Sequence, residues 1–141
     1  MTTEADVRES CAALRARMAA RKLTRLYDRA LKPTGLKITQ FTLLIAIEEG
    51  SVKSLTQLAD ALALERSSLV RNVQLLEGEG LIEAEPSGSG RSLGLKLTKE
   101  GRKVLTQALP LWRKAQDEVE GNLGSAWPSV KKSLHLLISK A

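Results

Sequence analysis

Residues 54–80, SLTQLADALALERSSLVRNVQLLEGEG, decide how the rest of the chain is read. Ser54-Leu-Thr-Gln57 is a Ser-x-x-Gln capping box, a pattern in which a hydroxyl and a side-chain amide satisfy free N–H groups at a helix start. Leu55, Leu58, Ala59 and Leu62 then give a short helix, running through Ala63, one buried face. Leu64-Glu65-Arg66 breaks that pattern. A further helix runs to about Glu79 with Leu69, Val70, Val73 and Leu76 inward, and Gly78 and Gly80 mark its end. Two short helices joined by a tight turn form a helix-turn-helix.

Downstream the period changes from helical to two. Leu81 to Glu85 leads into Pro86-Ser-Gly-Ser-Gly90, and Leu93, Leu95 and Leu97 alternate with Ser92, Gly94 and Lys96. A hairpin with a Gly/Ser tip directly after a helix-turn-helix is a wing. The glycines from Gly88 to Gly94 do not make a phosphate loop, because the run lacks the closing Gly-Lys-Ser/Thr and joins two strands. Thr98 then caps a long helix carrying Val104, Leu105, Ala108, Leu111, Trp112, Ala115 and Val119 to about Asn122. Pro110 is expected to interrupt and kink it. Ser125 and Pro128 open a final helix.

Upstream, Thr3-Glu-Ala-Asp6 reads as an Asp variant of the capping box. Val7, Cys11, Leu14 and Met18 follow on one face, and Leu23, Leu26, Ala30 and Leu31 continue the stripe until Pro33 and Gly35. A continuous helix of that length is an arm of roughly 45 Å. One small core cannot cover it, so it is expected to pack on another chain. A shorter helix, capped at about Thr39 and closed by Gly50, has Phe41, Leu44, Ile45 and Ile47 inward. The chain thus divides into an N-terminal arm and connector (1–38), a winged helix-turn-helix (39–103) and C-terminal helices (104–141). The fold class is mainly α with a small β-hairpin.

Composition removes whole classes of function. With one cysteine and one histidine in 141 residues there is no internal disulfide, no Cys-based zinc cluster, no HExxH and no sequence signature of a Ser–His–Asp triad. His135 reads as a satisfied histidine on a packed helix. No catalytic residue, metal site or cofactor is expected. No stretch has the roughly 18 uncharged apolar residues of a membrane span, and the charged N-terminus is not a signal peptide, so a soluble cytosolic protein is expected. Lys+Arg 22 against Asp+Glu 16 leaves a formal charge of +6, which favours an anionic partner.

The outward face of the second helix of the pair is where such a partner would be read. Ser67, Ser68, Arg71 and Asn72 form that face, with Arg66 at its entry. Arg71 has the donor fork for guanine O6 and N7, Asn72 the amide for adenine, and the serines hydroxyls for a base or phosphate. A polar solvated helix face would look the same. The wing decides between them: from Arg91 to Lys103 basic residues outnumber acidic ones five to one. Arg91, just past the tip, is placed for a narrow minor groove, and Lys96, Lys99, Arg102 and Lys103 for phosphates.

Leu36 through Leu44, Leu58-Ala59, Leu81-Ile82 and the Leu97-Thr98-x-x-Gly101 run, with the flanking long helices, resemble the multiple antibiotic resistance regulator (MarR) family in order and spacing. The resemblance covers nearly the whole chain. It implies a homodimeric winged helix-turn-helix repressor, its first and last two helices forming the dimer interface, with a small-molecule site between that interface and the DNA-binding lobe. The family's wing usually carries Asp-x-Arg. Here the run is Ser89-Gly90-Arg91, so the arginine stays without its carboxylate brace.

Two kinds of switch follow from the same resemblance. Arg25, Tyr27, Phe41 and Trp112 sit on the elements that it places around the effector pocket, and a small aromatic or otherwise anionic molecule is the expected ligand; all four also read as ordinary core or interface residues. Peroxide-sensing members use one cysteine in the first helix near tyrosines, which makes Cys11 the redox candidate; the default reading is a small hydrophobe on an apolar face. Arg17, Arg21, Arg25 and Arg29, four residues apart, form a basic stripe that is either a solvated face or an anion contact. The expected partner is double-stranded DNA with a pseudo-palindromic operator, half-sites about one helical turn apart. The alternative is a winged-helix module that docks on an acidic protein surface.

Overall fold

Hydroxyl caps start three of the helices where the sequence puts them. In the computed structural model, which describes residues 1–85 and 93–141, Thr3, Ser54 and Thr98 accept the N–H three residues on at 3.3, 3.1 and 3.0 Å. The elements are α1 (Glu4–Ser10), α2 (Ala12–Leu31), α3 (Ile38–Glu49), α4 (Leu55–Ala61), α5 (Arg66–Gly78), β1 (Ile82–Ala84), β2 (Leu95–Leu97), α6 (Lys99–Leu123) and α7 (Trp127–Lys140). The two strands pair antiparallel, with Ile82 opposite Leu97, Glu83 opposite Lys96 and Ala84 opposite Leu95. The expected wing tip, with Arg91, lies outside the described residues.

The core belongs to the winged lobe and the ends of the helices that enter it. Leu31, Leu36, Phe41, Leu43, Leu44, Ile47, Leu58, Leu69, Leu76, Ile82, Leu97, Leu105 and Ala108 form one buried cluster. Side chains from α2, α3, α4, α5, both strands and α6 therefore share one interior. Leu43, which the helical pattern leaves out, is among the most buried of them.

Several sequence expectations are corrected. The N-terminal arm is not continuous: Cys11 adopts an extended conformation (φ −66°, ψ 110°) and separates α1 from α2. The break frees the Glu9 carbonyl from its helical partner, and the Arg15 side chain donates to it instead at 2.6 Å. The arm is thus a short helix followed by one of about 30 Å. The start of α3 is held from a distance rather than by Thr39. Asp28 on α2 accepts the Ile38 N–H at 2.8 Å, and Gln40 accepts that of Lys37 at 2.9 Å. At α4 the Gln57 amide accepts from Lys53, at 2.8 Å, rather than from Ser54. No interruption occurs at Pro110: α6 is helical from Lys99 to Leu123. Thr106, Leu109 and Pro110 are exposed, so water is at hand for the carbonyl that the missing N–H leaves free. Within the single chain α7 buries no residue, so His135 on it packs against nothing of its own chain.

Candidate nucleic-acid interface

The α4–α5 unit is a rigid presenter. Its turn, residues 62–65, is closed by backbone bonds from Ala63 N–H to Asp60 O (3.1 Å) and Leu64 N–H to Ala59 O (2.8 Å). Ala63 pays for this tightness with a left-handed φ of 53°, which costs an L-residue roughly 1–2 kcal/mol. Leu58 on α4 and Leu69 and Leu76 on α5 are fully buried, which fixes the rotation of α5 about its axis. That rotation decides what faces out.

Ser67, Arg71, Gln74 and Leu75 are exposed on α5, while Ser68 and Asn72 are half-buried on its flanks. Arg71 Nη2 donates to Ser68 Oγ at 3.3 Å, within the helix surface. Arg66 is turned back, its Nη1 donating to Thr56 Oγ1 at 3.1 Å and tying the start of α5 to α4. Glu65, the N-cap residue, makes no side-chain cap, so the first N–H groups of α5 are available to an anion such as a phosphate oxygen. Of the residues expected to read a partner, the structure puts Ser67 and Arg71 on the exposed face of α5, Ser68 and Asn72 on its flank and Arg66 against α4.

The basic set around the wing is narrower than the sequence implies. Lys96 lies 3.6 Å from Glu83, its cross-strand neighbour, and Arg102 lies 3.9 Å from Glu48. Both cations are partly neutralised where they stand. Lys99 and Lys103 are exposed and have no ion pair among the described residues, so of the four they keep their charge unneutralised.

The four residues expected around an effector do not converge. Phe41 is buried and stacks on Trp112, with ring centroids 6.4 Å apart and planes at 17°. The Arg113 guanidinium lies 4.7 Å from the Trp112 ring centroid on α6 and also contacts Asp117 at 3.3 Å and Glu120 at 3.7 Å. Tyr27 donates its hydroxyl to the Gln116 side-chain oxygen, which joins α2 to α6. Arg25 is exposed and takes no part: two residues along a helix is a turn of about 200°, so it points away from Tyr27. Gln116 and Arg113 escape the sequence reading, although Gln116 stands four residues beyond Trp112 on the same helical face. On the neighbouring flank a separate cleft of about 410 Å³ opens between α2 and α6. Leu26, Ala30, Leu111 and Ala115 line it with Arg29, Lys114 and Glu118.

Burial raises the Tyr27 phenol above its ordinary value of 10.0; nearby Glu120 adds to the rise and Arg113 opposes it. The neutral form is the one the fold favours. Its contribution to stability is complete below pH 10 and is lost as pH climbs through the raised value. Tyr27 is the one tyrosine in the chain, so an alkaline ultraviolet titration reads it alone. The midpoint should lie above 10 in the folded protein and fall back on unfolding; a midpoint at the ordinary value would place the phenol in water.

Comparison with known proteins gives the following. A family model described as MarR family matches residues 34–91. The M. tuberculosis transcriptional regulator MosR, solved in complex with DNA, is 38% identical; the match covers 92% of this chain and 95% of that one, with a TM-score of 0.80. The transcriptional repressor CouR is 22% identical over 99% of this chain and 100% of its own, with a TM-score of 0.84. A mutant MarR from E. coli complexed with operator DNA is 22% identical over 94% of this chain and 96% of its own, with a TM-score of 0.76.

Proposed function

The chain belongs to the MarR family of transcriptional regulators, and from that premise we propose a dimeric, cytoplasmic repressor that reads a pseudo-palindromic operator with α5 and its wing. The observation that carries the reading is the outward face of α5. Leu69, Val73 and Leu76 hold the helix from inside, and Arg71 stands exposed on the outside, bonded to Ser68, with Ser67 beside it. Arg71 takes guanine, and Ser67, Ser68 and Asn72 flank it. Arg66, Lys99 and Lys103 supply phosphate contacts, and Arg91 the wing's. Residues 39–103 act as the DNA lobe, and 1–38 with 104–141 as the dimer arm.

The test is fluorescence anisotropy with the duplex upstream of the chain's own gene, across a salt series. Affinity should fall steeply with salt, as it does when several phosphates are neutralised. Arg71→Ala should cost about 1–3 kcal/mol on that duplex and much less on random duplex. Equal losses on both would make Arg71 a phosphate contact only. Salt-insensitive or absent duplex binding, with capture of an acidic protein, would favour the protein-docking alternative.

For release from DNA we propose that an amphipathic anion, such as an aromatic carboxylate, enters the cleft beside α2 and α6. Its apolar floor of Leu26, Ala30, Leu111 and Ala115 with the cations Arg29 and Lys114 at the rim suits such a molecule. Arg25, just over one helical turn before Arg29, stands on the same side of α2, while Tyr27, Phe41 and Trp112 are not among the residues that line the cleft. Oxidation at Cys11, half-buried at the break between α1 and α2, is the second route. Phenolic acids or hydroperoxide added to the anisotropy assay test both: duplex affinity unchanged by either would remove these switches, and Cys11→Ser should abolish only the second.

A further inference from the structure

Exposed large hydrophobic side chains are distributed unevenly in this molecule. Among the described residues all but one of them lie in residues 1–23 or on α6 and α7: Val7, Leu14 and Met18 at one end, Leu134, Leu137 and Ile138 at the other. The exception is Leu75, 58% exposed, on the recognition helix. A dimer arm accounts for the others. It does not account for Leu75, which lies on the outward face of α5, away from the face that Leu69, Val73 and Leu76 bury in the core.

Leu75 is not alone there. With Arg71 and Gln74 it lines a shallow hollow of about 300 Å³ on the outward face of α5. The neighbouring chemistry is complementary to one partner. Gln74 is exposed and carries the amide that pairs adenine N6 and N7, and an apolar side chain beside it matches the thymine 5-methyl group in the major groove. Arg71 lies one helical turn before Leu75, about 6 Å along the axis, which is close to two base-pair steps. Resting on the DNA-binding reading above, we propose that the second half of α5 is a specificity element for A·T, Leu75 packing on a thymine methyl and Gln74 on adenine, about two base pairs from the guanine read by Arg71.

Selection from random sequence supplies the operator for the test. A duplex pool with a randomised core is selected on the wild-type protein, and the thymines of the winning duplex are replaced singly by deoxyuridine, which removes only the methyl. One replacement, about two base pairs from the selected guanine, should weaken wild-type binding about fourfold, the value of one buried methylene-sized group. Leu75→Ala should lose the same about fourfold on the thymine duplex and show no further loss on the deoxyuridine duplex. Gln74→Ala should relax the choice of adenine by roughly 5- to 150-fold. If no deoxyuridine replacement matters, or if Leu75→Ala remains sensitive to the same methyl, the inference is wrong although DNA binding stands. A wild-type protein that selects no duplex overturns the DNA-binding reading itself and this inference with it.

Discussion

Leu137→Glu combined with Ile138→Glu is expected to convert the protein from dimer to monomer and to lower its affinity for a two-half-site operator by about 10²- to 10⁴-fold. The reason lies in α7, a helix of 14 residues with no buried residue. A helix of that length is marginal in water without tertiary packing. Trp127, Val130, Leu134, Leu137 and Ala141 recur at spacings of three and four, a stripe that needs a partner surface. Leu134, Leu137 and Ile138 remain 41%, 47% and 76% exposed in the single chain. Residues 1–23 leave a second apolar set open in Val7, Leu14, Met18 and Leu23, which gives a two-fold arrangement both of its faces. Two glutamates in such a seam would be buried without partners, which a dimer cannot absorb. Light scattering reads the mass directly. Binding to a single half-site duplex should be nearly unchanged, since the lobe's core holds no residue of α7. A variant that remains dimeric would place the interface elsewhere.

The helix-turn-helix is legible because its determinants are local. A hydroxyl at Ser54, an apolar residue every three or four positions and paired glycines after Leu76 each act within one or two turns. What escapes depends on residues remote in sequence. Asp28 caps α3 from ten residues away, and Arg15 reaches back to the Glu9 carbonyl where the arm breaks. The basic cluster after the wing shows in the sequence by sign alone, but strand register sets Lys96 against Glu83 and so removes part of its charge. On the effector side, Tyr27 and Trp112 fall on the expected helices. Arg25 joins Tyr27 only by nearness along the chain, which the angular step of a helix contradicts. Leu75 is hidden for the opposite reason: beside Leu76 it looks like core, and only the rotation fixed by Leu69, Val73 and Leu76 turns it outward. Local chemistry is written in the sequence. Which side of an element it serves is written in the packing.

Gly101→Ala is expected to destabilise the protein by at least about 3 kcal/mol, at the upper end of what overpacking costs, and to lower its melting temperature by roughly 10 °C. A Cβ built at Gly101 would stand 2.0 Å from the Leu81 carbonyl oxygen and 3.0 Å from its carbon. These are backbone atoms, so no rotamer change can make room. The same carbonyl accepts the Thr98 N–H at 3.0 Å, and the Thr98 hydroxyl, which caps Gly101, donates to Gly80 O at 2.6 Å. Any shift that admits the methyl must therefore loosen the corner where β2 turns into α6, and with it the root of the hairpin. Duplex affinity should fall along with stability, because the wing is anchored at that corner. Gly121→Ala, on the same helix, is the matched control. Nothing lies within 4 Å of its added Cβ. It should stabilise the chain by about 0.5–1 kcal/mol, through higher helix propensity and a smaller entropy loss on folding. Opposite signs from one chemical change on one helix would attribute the loss to the Leu81 contact. Similar thermal melting curves for the two variants would show that the corner yields without cost, and would remove the steric basis for reading Leu97-Thr98-x-x-Gly101 as a structural joint.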